Sequence, residues 1–81
     1  QQAKIDFIFR QKSVEMESTL KNHTLTQSLL VDGNRISVFV TNVEQARKEF
    51  LKLIFENDWR LDKFEVSSMT LEDVFMKVVG K

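Results

Sequence analysis

The residues of this chain that could do chemistry are few and lie far apart. Glu72 and Asp73 are adjacent carboxylates, a residue type that serves as general acid or base in many enzymes. At the first turn of a predicted helix, however, carboxylates are stabilised by the helix dipole and by unpaired backbone N–H groups. We therefore expect Glu72 and Asp73 to have a structural role or to form a salt bridge with a partner chain. No catalytic residue is predicted.

Metal chemistry is disfavoured by the residue types present. His23 is the only histidine, and the chain has no cysteine. Structural zinc sites usually combine several cysteine and histidine ligands. We predict no metal site and expect His23 to be an exposed loop residue. The lack of cysteine also excludes disulfide bonds and is compatible with a cytoplasmic location.

Nucleotide hydrolysis would need a glycine-rich phosphate loop with its Lys and Ser or Thr. The only glycines are Gly33 and Gly80, and neither lies in such a loop. We predict that this segment does not bind ATP by that route and holds no cofactor. The basic segment 10–13 (Arg-Gln-Lys-Ser) follows the first predicted strand and is a weak indication of a small phosphatase. Since it contains no glycine, a hydrolase is disfavoured.

Nucleic-acid binding is the remaining chemical class to weigh. Phe7, Phe9 and Phe39 could stack on bases, as aromatic residues do on the sheet of RNA-recognition domains. The 12 Lys and Arg residues are balanced by 12 Asp and Glu residues, so electrostatic attraction to nucleic acid is weak. We expect Phe7 and Phe9 to lie in the core. Phe39 and Ile8 are predicted to lie on an exposed sheet face that contacts another surface.

The elements in the first half are predicted from hydrophobic periodicity. Alternation over residues 3–10 indicates a strand, and Ser13 is the predicted N-cap of a short helix. Residues 25–31 and 35–40 are predicted strands. The turn 32–34 (Asp-Gly-Asn) indicates a hairpin, because Gly and Asn tolerate the positive φ that tight turns need.

The second half is predicted to form helix, strand and helix. Thr41 and Glu44 fit a capping box for the main helix. Residues 59–66 indicate a strand, with a bulge at 62–63 where the alternation changes phase. Thr70 is the predicted N-cap of a closing helix whose apolar stripe consists of Leu71, Val74, Phe75 and Val78.

This order of elements predicts an α+β fold. Both helical connections are long enough for parallel crossovers, whereas the hairpin requires an antiparallel pair. With right-handed crossovers, we predict a ferredoxin-like split βαβ sandwich (βαββαβ) with an extra C-terminal helix and a four-stranded, mainly antiparallel sheet. The 81 residues predict a single domain, 1–81. Since the chain starts with Gln1 rather than Met, we expect it to be part of a longer protein.

Two segments resemble a known family. The run Thr70-Leu71-Glu72-Asp73-Val74-Phe75 resembles the "(S/T)-L-E-D-V-F" run that closes the ATP-binding subunits of many bacterial ABC-2-type exporters. The segment 32–38 (Asp-Gly-Asn-Arg-Ile-Ser-Val) resembles the "D-G-x-x-(I/L)-x-V" hairpin that precedes it in that family. The similarity covers nearly the whole chain, although Met69 stands where the family often has proline. Regulatory domains of eukaryotic A-type lipid exporters end in a similar run.

The resemblance implies a non-catalytic accessory domain at the C-terminus of a longer ATP-binding protein. Such a domain would support subunit pairing or regulate ATP-driven export, with ATP and magnesium bound in the upstream domain. The implied partners are its own nucleotide-binding domain, a second ATP-binding subunit and, through the parent chain, membrane permease subunits, at the cytoplasmic face of the cell membrane. The alternative is a ferredoxin-like regulatory module that senses a small ligand. A pocket with polar lining between copies would favour that alternative, and a dry apolar face would favour the accessory domain.

The contact surface expected of such a domain is apolar. The run of residues 70–75 is the family motif and a candidate interface. A helix over this run would pack on its own sheet or on a second copy, forming a homodimer that raises the effective concentration of the paired subunits. The predicted contact surface consists of Ile8, Phe39 and Phe55. Further apolar residues in excess of the core are Leu51, Met76 and Val79.

Overall fold

The structure is a computed structural model that describes residues 2–68. It contains four strands and two helices: β1 (Ala3–Phe9), α1 (Val14–Lys21), β2 (Ser28–Asp32), β3 (Arg35–Val40), α2 (Val43–Glu56) and β4 (Leu61–Ser68). The closing helix predicted after Thr70 lies outside the described residues. Within residues 2–68, neither helix has the length and apolar character needed to cross a membrane.

The strands form a four-stranded sheet in the order β2-β3-β1-β4. Every neighbouring pair is antiparallel. β1 and β2 therefore run parallel to each other on either side of β3, and α1 connects them. β3 and β4 likewise run parallel on either side of β1, and α2 connects them. This topology is the predicted ferredoxin-like split βαβ arrangement, so the α+β fold class is confirmed.

The core lies between the helices and one face of the sheet, called here the core face. Phe7 is at its centre, and its ring stacks on that of Phe9 with 5.9 Å between centroids. The edges of two further rings meet Phe7, from Phe50 at 5.6 Å and from Phe64 at 5.3 Å. The buried cluster consists of Ile5, Phe7, Phe9, Leu20, Ile36, Val38, Val40, Ala46 and Phe50.

The two helices begin at side chains that accept backbone hydrogen bonds. Ser13 caps α1 as predicted, and its Oγ accepts from the N–H of Met16 at 3.3 Å. The cap of α2 is Asn42, whose Oδ1 accepts from the N–H of Gln45 at 3.2 Å. The capping box predicted from Thr41 is therefore wrong by one residue. Both residue types can cap a helix, and the helix starts one position later than expected.

The hairpin between β2 and β3 has a two-residue turn. Asp32 pairs with Arg35, which leaves Gly33 and Asn34 at the turn. Gly33 has a φ of 61°, as predicted, in the region that glycine adopts without steric cost. Asn34 does not adopt a positive φ, and the predicted hairpin is confirmed. A turn with a positive φ only at its first central residue requires glycine at that position alone.

β2 begins later in the chain than its apolar pattern predicts. The N–H of Leu25 donates to Nδ1 of His23 at 3.1 Å, and Thr26 Oγ1 donates to the Leu20 carbonyl at 2.7 Å. These bonds hold the segment in a loop before the strand starts. In β4 the predicted bulge is confirmed, since Ile8 and Phe9 of β1 pair with positions 63 and 61 and position 62 is extra.

Candidate interaction surfaces

The outer side of α2 carries an exposed apolar ridge formed by Leu51 and Phe55. These residues lie one helical turn apart, with 45% of Leu51 and 86% of Phe55 exposed. The opposite side of the same helix is anchored in the core by Ala46 and Phe50. A single exposed apolar side chain is common, but a phenylalanine this exposed in the last turn of α2, beside an exposed leucine, favours a contact.

A groove of about 560 Å³ lies between α1 and β2. The apolar side chains that line it include Val14, which is 77% exposed, and Val31, which is 43% exposed. Charged and polar residues complete it, so the groove is suited to a chain segment more than to an apolar small molecule. The full lining is Val14, Glu17, Ser18, Lys21, Thr26, Gln27, Ser28, Leu29 and Val31.

The sheet face turned away from the helices, called here the second face, carries polar residues. Asp6 and Ser37 lie opposite each other on β1 and β3, and only 7% and 8% of them are exposed. Ser37 Oγ donates a hydrogen bond to Asp6 Oδ1 at 2.5 Å. Lys4 Nζ lies 3.9 Å from the other carboxylate oxygen of Asp6. The carboxylate is thus compensated within the domain, as buried charges generally require.

Phe39 also lies on the second face, and its position corrects a prediction. Its side chain is only 1% exposed, so the expectation of an exposed ring on an open sheet face is wrong. β3 has a neighbouring strand on each side, and Lys4 and Ser28 lie directly opposite Phe39 across those pairs.

The basic segment after β1 is occupied by internal ion pairs. Arg10 Nη2 lies 3.0 Å from Asp62 Oδ1, and Nε of the same guanidinium donates to that oxygen at 3.2 Å. Lys12 Nζ pairs with the carboxylate of Glu17 in the first turns of α1. Both cations therefore serve the fold by tying β1 to β4 and to α1. This arrangement offers little support for a phosphate site.

His23 is half-buried and is not the exposed loop residue that the sequence predicts. Its ring meets the edge of Phe50 with 5.0 Å between centroids, and its Nδ1 accepts the N–H of Leu25. The histidine therefore packs the loop that precedes β2 against the core. Among residues 2–68, no group of three or more potential metal ligands comes together.

A family model provides the identification. Residues 3–79 match the model described as ATP-binding protein DrrA1-3-like, C-terminal domain. The chain belongs to this family. The match covers all six elements described above and confirms the resemblance to the C-terminal domain of an ATP-binding protein. No curated protein and no solved structure matches the chain.

The residues predicted as the family motif of this DrrA1-3-like C-terminal domain lie outside the described part of the structure. They are Thr70, Leu71, Glu72, Asp73, Val74 and Phe75, and the same holds for Met76 and Val79. Their role as an interface stays a prediction.

The three residues predicted as a contact surface do not form one surface in this DrrA1-3-like domain. Ile8 and Phe39 lie on the second face, whereas Phe55 lies on α2, which packs on the core face. Ile8 is half-buried between Arg35 and Lys63 on the neighbouring strands. Of the three, Phe55 alone is extensively exposed.

The sequence reasoning missed the groove residues Val14 and Val31. Val14 is two positions from Met16 and therefore points to another side of α1. Helical spacing could thus have indicated that Val14 faces outward. For Val31 no comparable indication exists, because its exposure depends on β2 being an edge strand. Local hydrophobic periodicity does not predict the order of strands in a sheet.

Proposed function

We propose that the chain is a non-catalytic accessory domain that supports the pairing of ATP-binding subunits in an ATP-driven exporter and regulates their activity. Membership in a family of C-terminal domains of ATP-binding proteins supports this proposal. In this reading ATP and magnesium bind to the nucleotide-binding domain of the same protein. The complex, with its permease subunits, lies at the cytoplasmic face of the cell membrane.

The observation that carries the proposal is the exposed ridge of Leu51 and Phe55 on α2. Full burial of a phenylalanine side chain contributes about 1.5–3 kcal/mol relative to exposure. In the isolated domain Phe55 is 86% exposed, so this burial free energy is not gained. A domain docked on a neighbour through Phe55 gains it. We assign the ridge to contact with the nucleotide-binding domain of the same protein.

The test is the substitution Phe55→Asp in the full-length ATP-binding protein. Because Phe55 is exposed, the variant should fold, and any defect should come from the contact. We expect a lower ATPase rate and weaker subunit association. Thr24→Asp is the matched control, since it introduces the same charge at another exposed position, in the loop after α1. If Phe55→Asp and Thr24→Asp both behave like the unaltered protein, the ridge is not the functional contact and the proposal fails.

A further inference from the structure

β2 is an edge strand whose outward backbone groups can pair with another chain. It lies at one end of the order of the described strands. The Gln27 N–H donates to the Phe39 carbonyl at 2.8 Å, so Phe39, which pairs with Ser28, directs its backbone toward β2. Backbone direction alternates along an antiparallel strand. Every second residue from Ser28 therefore bonds to β3, and Leu29 and Val31 direct their N–H and C=O groups outward.

The other edge strand is protected in a way that β2 is not. β4 contains a bulge and carries the charged residues Asp62, Lys63 and Glu65. Charges and bulges are the usual means by which proteins block pairing at a sheet edge. β2 has three consecutive apolar residues, 29–31, and no bulge among its pairs from Ser28 to Asp32. This contrast favours β2 as the edge that pairs.

We propose that two copies of the chain pair through β2 in antiparallel orientation, about a twofold axis at Leu30. In this register Leu29 of one copy lies opposite Val31 of the second copy, and the two exchange backbone hydrogen bonds. Leu30 lies opposite Leu30 of the second copy in a pair without backbone hydrogen bonds. The result is one continuous sheet that spans both copies.

The register is self-complementary, as a twofold interface requires. Leu29 and Val31 are on the core face, so apolar side chains meet apolar side chains. On the second face Ser28 comes opposite Asp32 of the second copy. Ser28 Oγ is buried, and no residue in the described range 2–68 forms a hydrogen bond with it. In the dimer, rotation about the Cα–Cβ bond of Ser28 would let its hydroxyl donate to the carboxylate of Asp32 of the second copy.

The groove beside β2 extends the contact beyond the strand. Stable interfaces bury about 800 Å² per partner, which a five-residue strand does not provide alone. Val14 and Val31, exposed along the groove, supply apolar area to the second copy. Glu17 and Lys21 lie one turn apart on α1. The twofold axis reverses the second helix, so that Lys21 of one copy faces the end of the other helix that carries Glu17, whose carboxylate also pairs with Lys12 of its own copy.

This pairing deepens the proposed function, on which its biological role rests, by naming the surface that brings two subunits together. The α2 ridge then remains available for the nucleotide-binding domain. A domain that pairs through β2 holds two ATP-binding subunits at high effective concentration between cycles.

The first experiment measures the mass of the chain by sedimentation equilibrium over a range of concentrations. A dimer has about twice the 9.5 kDa mass of one copy. Val31→Pro removes an outward N–H, and edge strands tolerate proline at such positions, so the fold should persist by circular dichroism. We expect the dimer Kd to rise at least about tenfold, the effect of losing paired hydrogen bonds in a contact of this kind. Lys48→Ala, at an exposed position of α2, is the control and should leave the Kd unchanged.

The second experiment tests the register. The chain has no cysteine, so Leu30→Cys introduces a unique thiol. Facing residues in a pair without backbone hydrogen bonds lie about 4.5 Å apart between Cα atoms, within the range of a disulfide. We expect Leu30→Cys to form a covalent dimer on mild oxidation, and Lys63→Cys on β4 to form no covalent dimer although it still pairs through β2. A chain that stays monomeric, or a dimer that Val31→Pro leaves intact, would overturn the inference.

The two proposals fail in different ways. If Val31→Pro abolishes the dimer but leaves the ATPase rate and subunit association of the full-length protein unchanged, pairing through β2 stands and its functional role fails. If Phe55→Asp lowers the ATPase rate while the chain is monomeric, the accessory function stands and pairing through β2 is wrong.

Discussion

Ser37 and Asp6 form a buried side-chain hydrogen bond between the two central strands of the sheet. Ser37 Oγ donates to Asp6 Oδ1 at 2.5 Å, on the face turned away from α1 and α2. Glu65 on β4 lies opposite Asp6 on the other side, and like charges in facing positions are destabilising. The Ser37 hydroxyl and the Lys4 ammonium group together compensate the charge of the Asp6 carboxylate, which Glu65 destabilises.

We predict that Ser37→Ala lowers the free energy of unfolding by about 1–3 kcal/mol, because it leaves a buried acceptor without its donor. Urea denaturation measures the change. Ser18→Ala is the control, since Ser18 is exposed on α1 and should change stability by less than about 0.5 kcal/mol. In a double-mutant cycle with Asp6→Ala, a coupling free energy near zero would show that the bond does not contribute.

The two phenylalanines of α2 form a matched pair for the core. Phe50 is 0% exposed and contacts Phe7 and His23, whereas Phe55 is 86% exposed. We predict that Phe50→Ala lowers stability by about 3–5 kcal/mol. This is a large part of the roughly 4–12 kcal/mol expected for a domain of this size.

Phe55→Ala should change stability by less than about 0.5 kcal/mol, because no packing is lost. Thermal and urea unfolding of the two variants compare the effects directly, since both substitutions lie in one helix and remove the same atoms. Equal destabilisation by the two substitutions would contradict the assignment of Phe55 to the outer surface.

Two positive φ angles give predictions of opposite sign. Gly33 has a φ of 61° and Asp58, just after the end of α2, has a φ of 52°. A side chain costs about 1–2 kcal/mol in this left-handed region. Gly33→Ala should lower stability by about 1 kcal/mol, although no atom lies within 4 Å of the added Cβ.

Asp58→Gly should raise stability by about 0.5–1 kcal/mol, since glycine is favoured just after a helix end. The exposed ion pair of Asp58 with Arg60, at 3.9 Å, contributes little against this gain. Asn34→Ala, at a turn position without positive φ, is the control. The urea midpoint should fall for Gly33→Ala, rise for Asp58→Gly and stay close to that of the unaltered chain for Asn34→Ala. Shifts of the same sign for Gly33→Ala and Asp58→Gly would refute the prediction.

Local patterns predicted the elements that depend on nearby residues. Alternation gave β1 and the inward side chains Ile5 and Phe7, and the turn residues gave the hairpin. The change of phase at Asp62 gave the bulge in β4. The order of elements then led to the split βαβ topology, because crossover length and handedness leave few alternatives.

Features that depend on strand neighbours could not be predicted in this way. Phe39 alternates with the core residues, so its pattern indicates a solvent-facing ring, whereas in the fold β3 lies between two strands and the ring is 1% exposed. His23 was expected in an exposed loop, but the fold brings Phe50 against it from 27 positions further along the chain (50 minus 23). The groove between α1 and β2 likewise exists only because β2 is an edge strand.

Two adjacent residues at the start of α2, Thr41 and Asn42, are both of a type that can serve as its N-cap. Asn42 accepts the N–H of Gln45 at 3.2 Å, and its Nδ2 also donates to the side-chain oxygen of Gln45 at 3.2 Å. Thr41 is exposed one position earlier. Asn42→Ala should lower stability by about 1 kcal/mol through loss of the cap. Thr41→Ala should change it by less than about 0.5 kcal/mol.

Urea unfolding of the two variants decides between the caps, and Asn42→Ser distinguishes capping from other losses. Serine is also a good cap residue, so Asn42→Ser should recover most of the stability lost in Asn42→Ala. A larger loss for Thr41→Ala than for Asn42→Ala would mean that α2 begins where the sequence pattern Thr41-x-x-Glu44 placed it.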